Sequence, residues 1–379
     1  MVAVVLAGGG TAGHVSPMVA TAQALRASLP GVGVTFVGTP KGLERDLVRA
    51  EDGDLRLIPA VPWPRSLGPD ALRVPFRLLG AIRSAGAILR DVHADVVVGF
   101  GGYAALPVCL AARRAKVPVV IHEQNAVPGI ANKIVARFAR AVLTSFPDTP
   151  LPHARFVGLP VRRNLASLAA AGRDGMRSAA RGRFGLRDDG PVLLVSGGSQ
   201  GARRLNDATT GARARLLAAG VQVLHVWGPR NYPADAAVVE DADSGARYVP
   251  LRYVDAMEDA YAAADLMLAR AGAGTVVETA LIGLPAVFVP FPHGNGEQAR
   301  NAAALVRIGA DELVADEALN ADELVRRVVP VITDPAELAR RSTLAQQVMQ
   351  PGAAERVAAV ITRVAGGRAP FGADEDGAD

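Results

Sequence analysis

A chain of 379 residues, half of them apolar and 21% charged, has the composition of a folded protein of two or three domains; disorder is excluded for its bulk. A net charge of +4 is too mild for a nucleic-acid binder, so no nucleic acid is expected as a partner. The single cysteine, Cys109, excludes disulfides and zinc ribbons and fits a reducing compartment. Lysine occurs only at Lys41, Lys116 and Lys133, an arginine bias that GC-rich coding accounts for.

Short runs of Val, Ile and Leu alternate with amphipathic stretches along the chain. The first half has Val2–Ala7, Val34–Gly38, Leu55–Ala60, Asp95–Phe100, Val117–His122 and Ala141–Ser145, followed by Ala154–Gly158. The second has Val192–Ser196, Val221–Trp227, Tyr248–Val254, Asp265–Arg270 and Ala286–Pro290. Continuous apolar runs between helical patterns predict parallel sheets covered on both faces, an α/β fold. Met1–Ala7 lacks the basic flank and cleavage site of a signal peptide. Ala271–Pro292 contains Glu278 and Pro285 and splits into a helix and a strand, so no membrane span is expected.

The two halves open alike. Val-Val-Leu-Ala-Gly-Gly-Gly-Thr-Ala-Gly-His from Val4 is matched by Val-Leu-Leu-Val-Ser-Gly-Gly-Ser-Gln-Gly-Ala from Val192, with Gly8 and Gly197 lying 189 positions apart. This predicts two similar α/β domains facing each other, joined near Leu159–Asp189. The Gly- and acid-rich tail from Gly367 to Asp379 is expected to be disordered.

Four glycine-rich turns follow strands, at Gly8–Gly13, Gly99–Gly102, Gly197–Gly201 and Gly272–Gly274. Gly8-x-Gly10-x-x-Gly13 fits a dinucleotide fingerprint, but no acidic residue between His14 and Leu43 could hold a ribose, which disfavours a dehydrogenase. The Lys-Ser/Thr of a P-loop is absent as well. A glycine turn feeding a helix still offers N–H groups and a positive dipole end to an anion. Any one such turn can serve packing alone. Four after strands favour a ligand with phosphates. In Ala269–Glu278 a carboxylate stands early in a helix, where it could accept ribose hydroxyls while Thr275 and nearby N–H groups meet phosphate; a dipole-stabilising acid is the alternative. Gln298 and Asn301, in the polar stretch after Pro290, are amides of the kind that read sugar hydroxyls.

Taken together, Gly-Gly-Thr-Ala-Gly-His (9–14), Gly-Phe-Gly-Gly-Tyr (99–103), His-Glu-Gln-Asn (122–125), Pro-Val-Arg (160–162), Gly-Gly-Ser-Gln-Gly-Ala (197–202) and the 269–278 segment resemble the MurG family in family order, from about Val2 to Arg363. These are the UDP-N-acetylglucosamine–N-acetylmuramyl-(pentapeptide) pyrophosphoryl-undecaprenol N-acetylglucosamine transferases of peptidoglycan synthesis. The resemblance implies a GT-B fold, two Rossmann-like parallel-sheet domains facing a cleft. It implies an acceptor domain over 1–160, a donor domain over 161–349, and a segment 350–366 returning to the first domain before the 367–379 tail.

The implied reaction passes N-acetylglucosamine from UDP-GlcNAc to the muramyl 4-hydroxyl of lipid I, making lipid II with inversion and needing no cofactor or metal. Ser199 and its loop would hold the donor diphosphate with Thr275, Glu278 the ribose, the Val254 backbone the uracil, and Gln298 sugar hydroxyls. Ala273, Gly274, Val276 and Val277 complete that donor segment, and Thr11, Ala12, Gly13, Asn125 and Arg162 are donor residues from the first domain. Gly9, Gly10, Gly101, Gly102 and Tyr103 would take the acceptor diphosphate. Three positions depart from the family pattern: Ala12, Leu159 before Pro-Val-Arg, and Ala271-Gly-Ala-Gly.

His14 is the leading base or acceptor-positioning residue, because an ordinary imidazole suits proton abstraction near neutral pH; capping its own helix is the alternative. Glu123 could orient a ring or serve as base. His93, His153 and His225 read as structural, and Asp241-Ala-Asp243 lies in a charged loop remote from the motifs. From Trp63 to Arg90 an apolar stripe including Phe76, Leu79 and Ile82 is edged by Arg65, Arg73, Arg77, Arg83 and Arg90. It reads either as an interfacial segment on an anionic membrane surface or as an ordinary amphipathic helix on the sheet. The resemblance places the protein peripherally on the cytoplasmic face of the cell membrane, with cell-wall synthesis and division proteins as partners. The rival readings are a UDP-sugar 2-epimerase, a natural-product glycosyltransferase, or a catalytically silent nucleotide-sugar-binding protein at the membrane.

Overall fold

A computed structural model describes residues 1–9, 12–40, 48, 53–61, 69–293 and 295–372. The chain divides into two compact units, Met1–Arg163 together with the stretch from Gly352, and Asn164–Pro351.

In the first unit the described strands are β1 Ala3–Ala7, β2 Gly33–Gly38, β3 Asp54–Leu57, β4 Val96–Gly99, β5 Val119–Glu123, β6 Ala141–Thr144 and β7 Ala154–Phe156. All pair in parallel, in the order β3-β2-β1-β4-β5-β6-β7. Helices α1 Ala12–Ser28, α2 Pro69–Asp91, α3 Gly102–Ala115 and α4 Ile130–Val135 alternate with them. Both faces of the inner strands are buried, which is why β1, β2, β4, β5 and β6 are largely apolar, while the outer β3 and β7 are partly exposed and carry Asp54, Arg56 and Arg155.

The second unit repeats this plan with β8 Val192–Ser196, β9 Gln222–Val226, β10 Val239–Glu240, β11 Arg247–Leu251, β12 Leu266–Ala269, β13 Ala286–Phe288 and β14 Glu312–Leu313. Their order is β10-β11-β9-β8-β12-β13-β14, antiparallel only at β10. The intervening helices are α5 Arg163–Ala171, α6 Asp174–Arg183, α7 Arg203–Ala218, α8 Met257–Ala263, α9 Ala273–Ile282, α10 Glu297–Arg307, α11 Ala321–Ile332 and α12 Pro335–Val348. Apart from the outer strands β7 and β10, both sheets have the doubly wound order 3-2-1-4-5-6. β10 and β14, two residues each, are too short to carry a sequence period. β11 ends at Leu251, so Val254 lies beyond the strand that the sequence extends to it.

One device recurs in both units. An aspartate just before a strand accepts an N–H from the neighbouring strand's first residue: Asp95 from Ala3 at 2.8 Å, Asp265 from Val192 at 2.8 Å and Asp311 from Ala286 at 2.7 Å. Asp265 is also paired with the fully buried Arg181 at 2.8 Å, which ties α6 to the sheet. Asp311 lacks so close a cation, and burial pushes its carboxyl up to about 7.

Helix α13, Ala353–Ala365, packs Val357, Ile361 and Val364 into the first unit's core, and the Arg356 guanidinium donates twice to the Val157 carbonyl, at 3.1 and 2.9 Å. Beyond it, Arg363 donates to the carbonyls of Ala369 and Phe371, and Arg155 lies over the Phe371 ring. Of the tail expected to be disordered, residues 367–372 are therefore tied down by arginine; residues 373–379 lie outside the described residues.

Candidate functional site

In an open parallel sheet, ligands bind where the strand order reverses, outside the carboxyl ends of the strands. That point lies between β1 and β4 in the first unit and between β8 and β12 in the second. All four glycine-rich turns of the sequence are the turns leaving these four strands.

In the first unit the two turns are pressed together. Gly9 and Gly102 have φ of 151° and 74°, and any side chain at Gly102 would strike the Gly9 carbonyl. Phe100 N–H donates to Ala7 O at 2.8 Å, locking the second turn to the first. His14, in the first turn of α1, lays its half-buried ring on Gly101: a Cβ there would stand 3.2 Å from Cδ2 and 3.3 Å from Nε2. Burial pushes the imidazole down to about 4, not the near-neutral value the sequence suggests, so it is uncharged at neutral pH and ready to accept a proton, but a weaker base than an ordinary imidazole. Tyr103 is exposed on the first turn of α3. Gly10 and Thr11 lie outside the described residues, as do Trp63 and Arg65 of the apolar stripe; Gly13 is exposed.

Glu123 ends β5 and is 2% exposed. Its Oε1 accepts the Asn125 N–H at 3.0 Å; its Oε2 accepts the Gly129 N–H at 3.0 Å and Asn132 Nδ2 at 2.9 Å. The carboxyl is thus occupied in shaping the 124–129 loop and in holding Asn132, whose amide lies beside Gly101. His122 is fully buried; its Nε2–H donates to Gly158 O at 2.9 Å while Gln124 donates to Nδ1. Asn125 and Arg162 are half-buried, and Leu159, the departure before Pro-Val-Arg, is buried at 3% exposed.

In the second unit the turns stand open. Gly198 and Gly272 have nothing within 4 Å of where a Cβ would lie. Helix α9 starts at Ala273, and its first internal bond is Val276 N–H to Gly272 O at 3.0 Å; the N–H groups of Ala273, Gly274 and Thr275 precede that bond and face the turn. Val276 and Val277 are buried in the core, so any ligand contact by this stretch is made by Ala273–Thr275 and by Glu278 on the next turn. Tyr261 O–H donates to Glu278 Oε2 at 2.7 Å, and Glu278 Oε1 reaches back towards Gly274. Ser199 is half-exposed in the turn after β8, and Val254 is buried in the loop after β11. Gln298 spends its amide oxygen on the Phe291 N–H at 2.9 Å. Asn301 is fully buried and donates to Ala271 O at 3.2 Å, so it pins the turn and does not read sugar. The Asp241 carboxyl is likewise occupied, accepting N–H groups of Asp243 and Ser244.

Tyr261 and Asn132 are missed by sequence reasoning. Tyr261 lies 17 residues before Glu278 and Asn132 lies 9 after Glu123, separations that no helical or strand period singles out.

Residues 4–144 match the glycosyltransferase family 28 N-terminal domain and residues 192–357 the family 28 C-terminal domain. The chain belongs to glycosyltransferase family 28. Among family 28 relatives, a UDP-N-acetylglucosamine–N-acetylmuramyl-(pentapeptide) pyrophosphoryl-undecaprenol N-acetylglucosamine transferase of Cutibacterium acnes is 54% identical over 368 residues, 96% of this chain and 98% of its own. The transferase of the same name from Mycobacterium bovis is 50% identical over 372 residues, 96% of this chain and 89% of its own. The crystal structure of Acinetobacter baumannii MurG superposes with a TM-score of 0.75 at 31% identity, covering 96% of this chain and 99% of that one.

Proposed function

We infer that this family 28 enzyme transfers N-acetylglucosamine from UDP-N-acetylglucosamine to undecaprenyl-pyrophosphoryl-N-acetylmuramyl-pentapeptide, the lipid I to lipid II step of peptidoglycan synthesis. The observation that carries the donor half is Glu278, aimed by the Tyr261 hydroxyl and standing one turn behind the N–H groups that open α9. A carboxylate accepts both hydroxyls of a ribose, and the helix start and the Ser199 loop favour the diphosphate. The two substrates are those after which the Cutibacterium acnes and Mycobacterium bovis relatives are named.

In the proposed mechanism His14, uncharged at neutral pH, takes the proton of the muramyl 4-hydroxyl. The freed oxygen attacks the anomeric carbon from the face opposite UDP. The carbon–oxygen bond to the diphosphate breaks with inversion, and the charge that develops on UDP is met by fixed N–H groups. Glu123 supports this from behind, because its two oxygens are committed to the loop and to Asn132. The paired Gly9 and Gly102 turns are assigned to the acceptor diphosphate.

Among the described residues no helix is long and apolar enough to cross a membrane. Helix α2 buries Ala81, Ala85 and Leu89 while Phe76, 78% exposed, and Leu79 face outward among Arg77, Arg83 and Arg90. We assign this outer face to an anionic leaflet on the cytoplasmic side, where the lipid-linked acceptor is reached peripherally. The test of the function is transfer of radiolabelled N-acetylglucosamine from UDP to a lipid I analogue. Label in the lipid product is the expected result. Release of free sugar, or 2-epimerised UDP-sugar without acceptor, would overturn it.

A further inference from the structure

Beneath the turn at Gly197–Gly201 lies a closed cycle of hydrogen bonds that the reaction itself does not use. His225, fully buried on β9, meets the Tyr248 hydroxyl through Nδ1 at 3.0 Å and Asn206 Oδ1 through Nε2 at 3.1 Å. Trp227 Nε1–H donates to the Tyr248 oxygen at 3.0 Å, and Asn206 Nδ2 donates to the Trp227 carbonyl at 3.2 Å. The indole stacks on the imidazole with centroids 4.6 Å apart.

Donor and acceptor counting fixes every direction. The Trp227 carbonyl can only accept, so Asn206 turns its NH₂ to it and its Oδ1 to His225 Nε2; in a neutral ring Nδ1 is then the acceptor, and the Tyr248 hydroxyl, which accepts from the indole N–H, donates to it. The imidazole then carries its hydrogen on Nε2 and gives it to Asn206 Oδ1, leaving the amide NH₂ for the Trp227 carbonyl. Burial lowers the imidazole to about 3, so the ring stays neutral and this directional sense holds across the working pH range. A cycle in which each buried group is satisfied by the next has one low-energy arrangement.

The cycle ends on the turn. The Trp227 carbonyl occupies the place that a side chain at Gly201 would fill, and Gly228, with φ of 85°, lies against Gly201. Asn231, just beyond, donates to the Gln200 carbonyl at 3.1 Å.

We propose that Asn206, His225, Trp227 and Tyr248 form a positioning device that sets the pose of the Gly197–Gly201 turn, and through it the affinity for the diphosphate of a nucleotide sugar. The four side chains act through the turn and not on the substrate. The inference rests on the assignment of that turn to the donor.

Tyr248→Phe keeps the ring and removes the oxygen that joins Trp227 to His225. In the full-length enzyme it is expected to raise the KM for UDP-GlcNAc and the Kd for UDP about five- to thirtyfold, the loss of one or two buried hydrogen bonds, with kcat within about twofold. His225→Gln, which can still donate and accept, is expected to recover most of the affinity that His225→Leu loses. A purely structural role would lower Tm in these variants and leave KM and Kd unchanged, which overturns the proposal. In the unaltered ring, with Trp63→Phe as background, a UDP titration is expected to change Trp227 emission, and a flat titration overturns the proposal even where a variant fails to fold. Glu278→Gln in the same assay separates the two levels. If it leaves UDP affinity intact the donor assignment falls; if it weakens UDP while Tyr248→Phe does not, only the positioning device falls.

Discussion

The two switch points share one topology and differ in how their glycine turns are filled. In the first unit Gly102 abuts the Gly9 carbonyl and the His14 ring covers Gly101, so glycine permits backbone to lie on backbone. In the second unit the turn after β8 packs at Gly201 on the β9 exit, Trp227 and Gly228, while Gly198 and Gly272 face open space. One point presents a neutral imidazole on a packed floor; the other presents helix N–H groups with a carboxylate one turn behind. The fold supplies the location, and the residues around each turn supply the chemistry.

The largest effect is expected at His14. His14→Ala should lower kcat about 10²- to 10⁴-fold, the usual contribution of a general base, as read in the radiolabel assay. Near-normal turnover would make the packed point a binding floor only. Next, Gly102→Ala and Gly198→Ala test packing against openness at similar backbone angles, φ of 74° and 80°. Both incur the left-handed strain of about 1–2 kcal/mol, but only Gly102→Ala also meets the Gly9 carbonyl, so its loss should be larger by roughly 1–3 kcal/mol in denaturant unfolding. Equal losses would remove the distinction.

The pH dependence sharpens the same contrast. A base held at about 4 keeps its proton-accepting form above pH 5, so the acid limb assigned to His14 should lie well below that of an ordinary imidazole, near 6.5. Stability follows the same sign. His14, His122 and His225 are lowered to about 4, 4 and 3, so the unfolded chain binds more protons than the folded one below pH 6.5. The stabilisation they give is complete above pH 6.5 and declines as pH falls towards 3, which urea titrations at pH 7 and pH 4.5 would register. A separate effect concerns the first unit's outer face. Arg77→Glu with Arg83→Glu should weaken cosedimentation with anionic vesicles by at least about 2 kcal/mol, roughly 1 kcal/mol per arginine lost, and leave neutral vesicles unaffected.

The glycine turns were legible because positive φ and close backbone approach leave few residue types able to serve there. The doubly wound grammar was legible because strands buried on both faces must be apolar throughout. Asn301 and Glu123 show the limit. An amide or a carboxyl near a strand end has the same letter whether it faces a ligand or closes a loop, and only the N–H groups around it decide. Tyr261, Asn132 and the Asn206–His225–Tyr248–Trp227 cycle were not legible, since each contact joins elements that meet only after the sheets assemble.

UDP binding tests the division of labour between the two switch points. Titration calorimetry of UDP should give His14→Ala the affinity of the unmodified enzyme within about twofold, and Glu278→Ala an affinity at least about tenfold weaker, the loss of charge-assisted hydrogen bonds. Equal losses in both variants, or a loss confined to His14→Ala, would contradict the account.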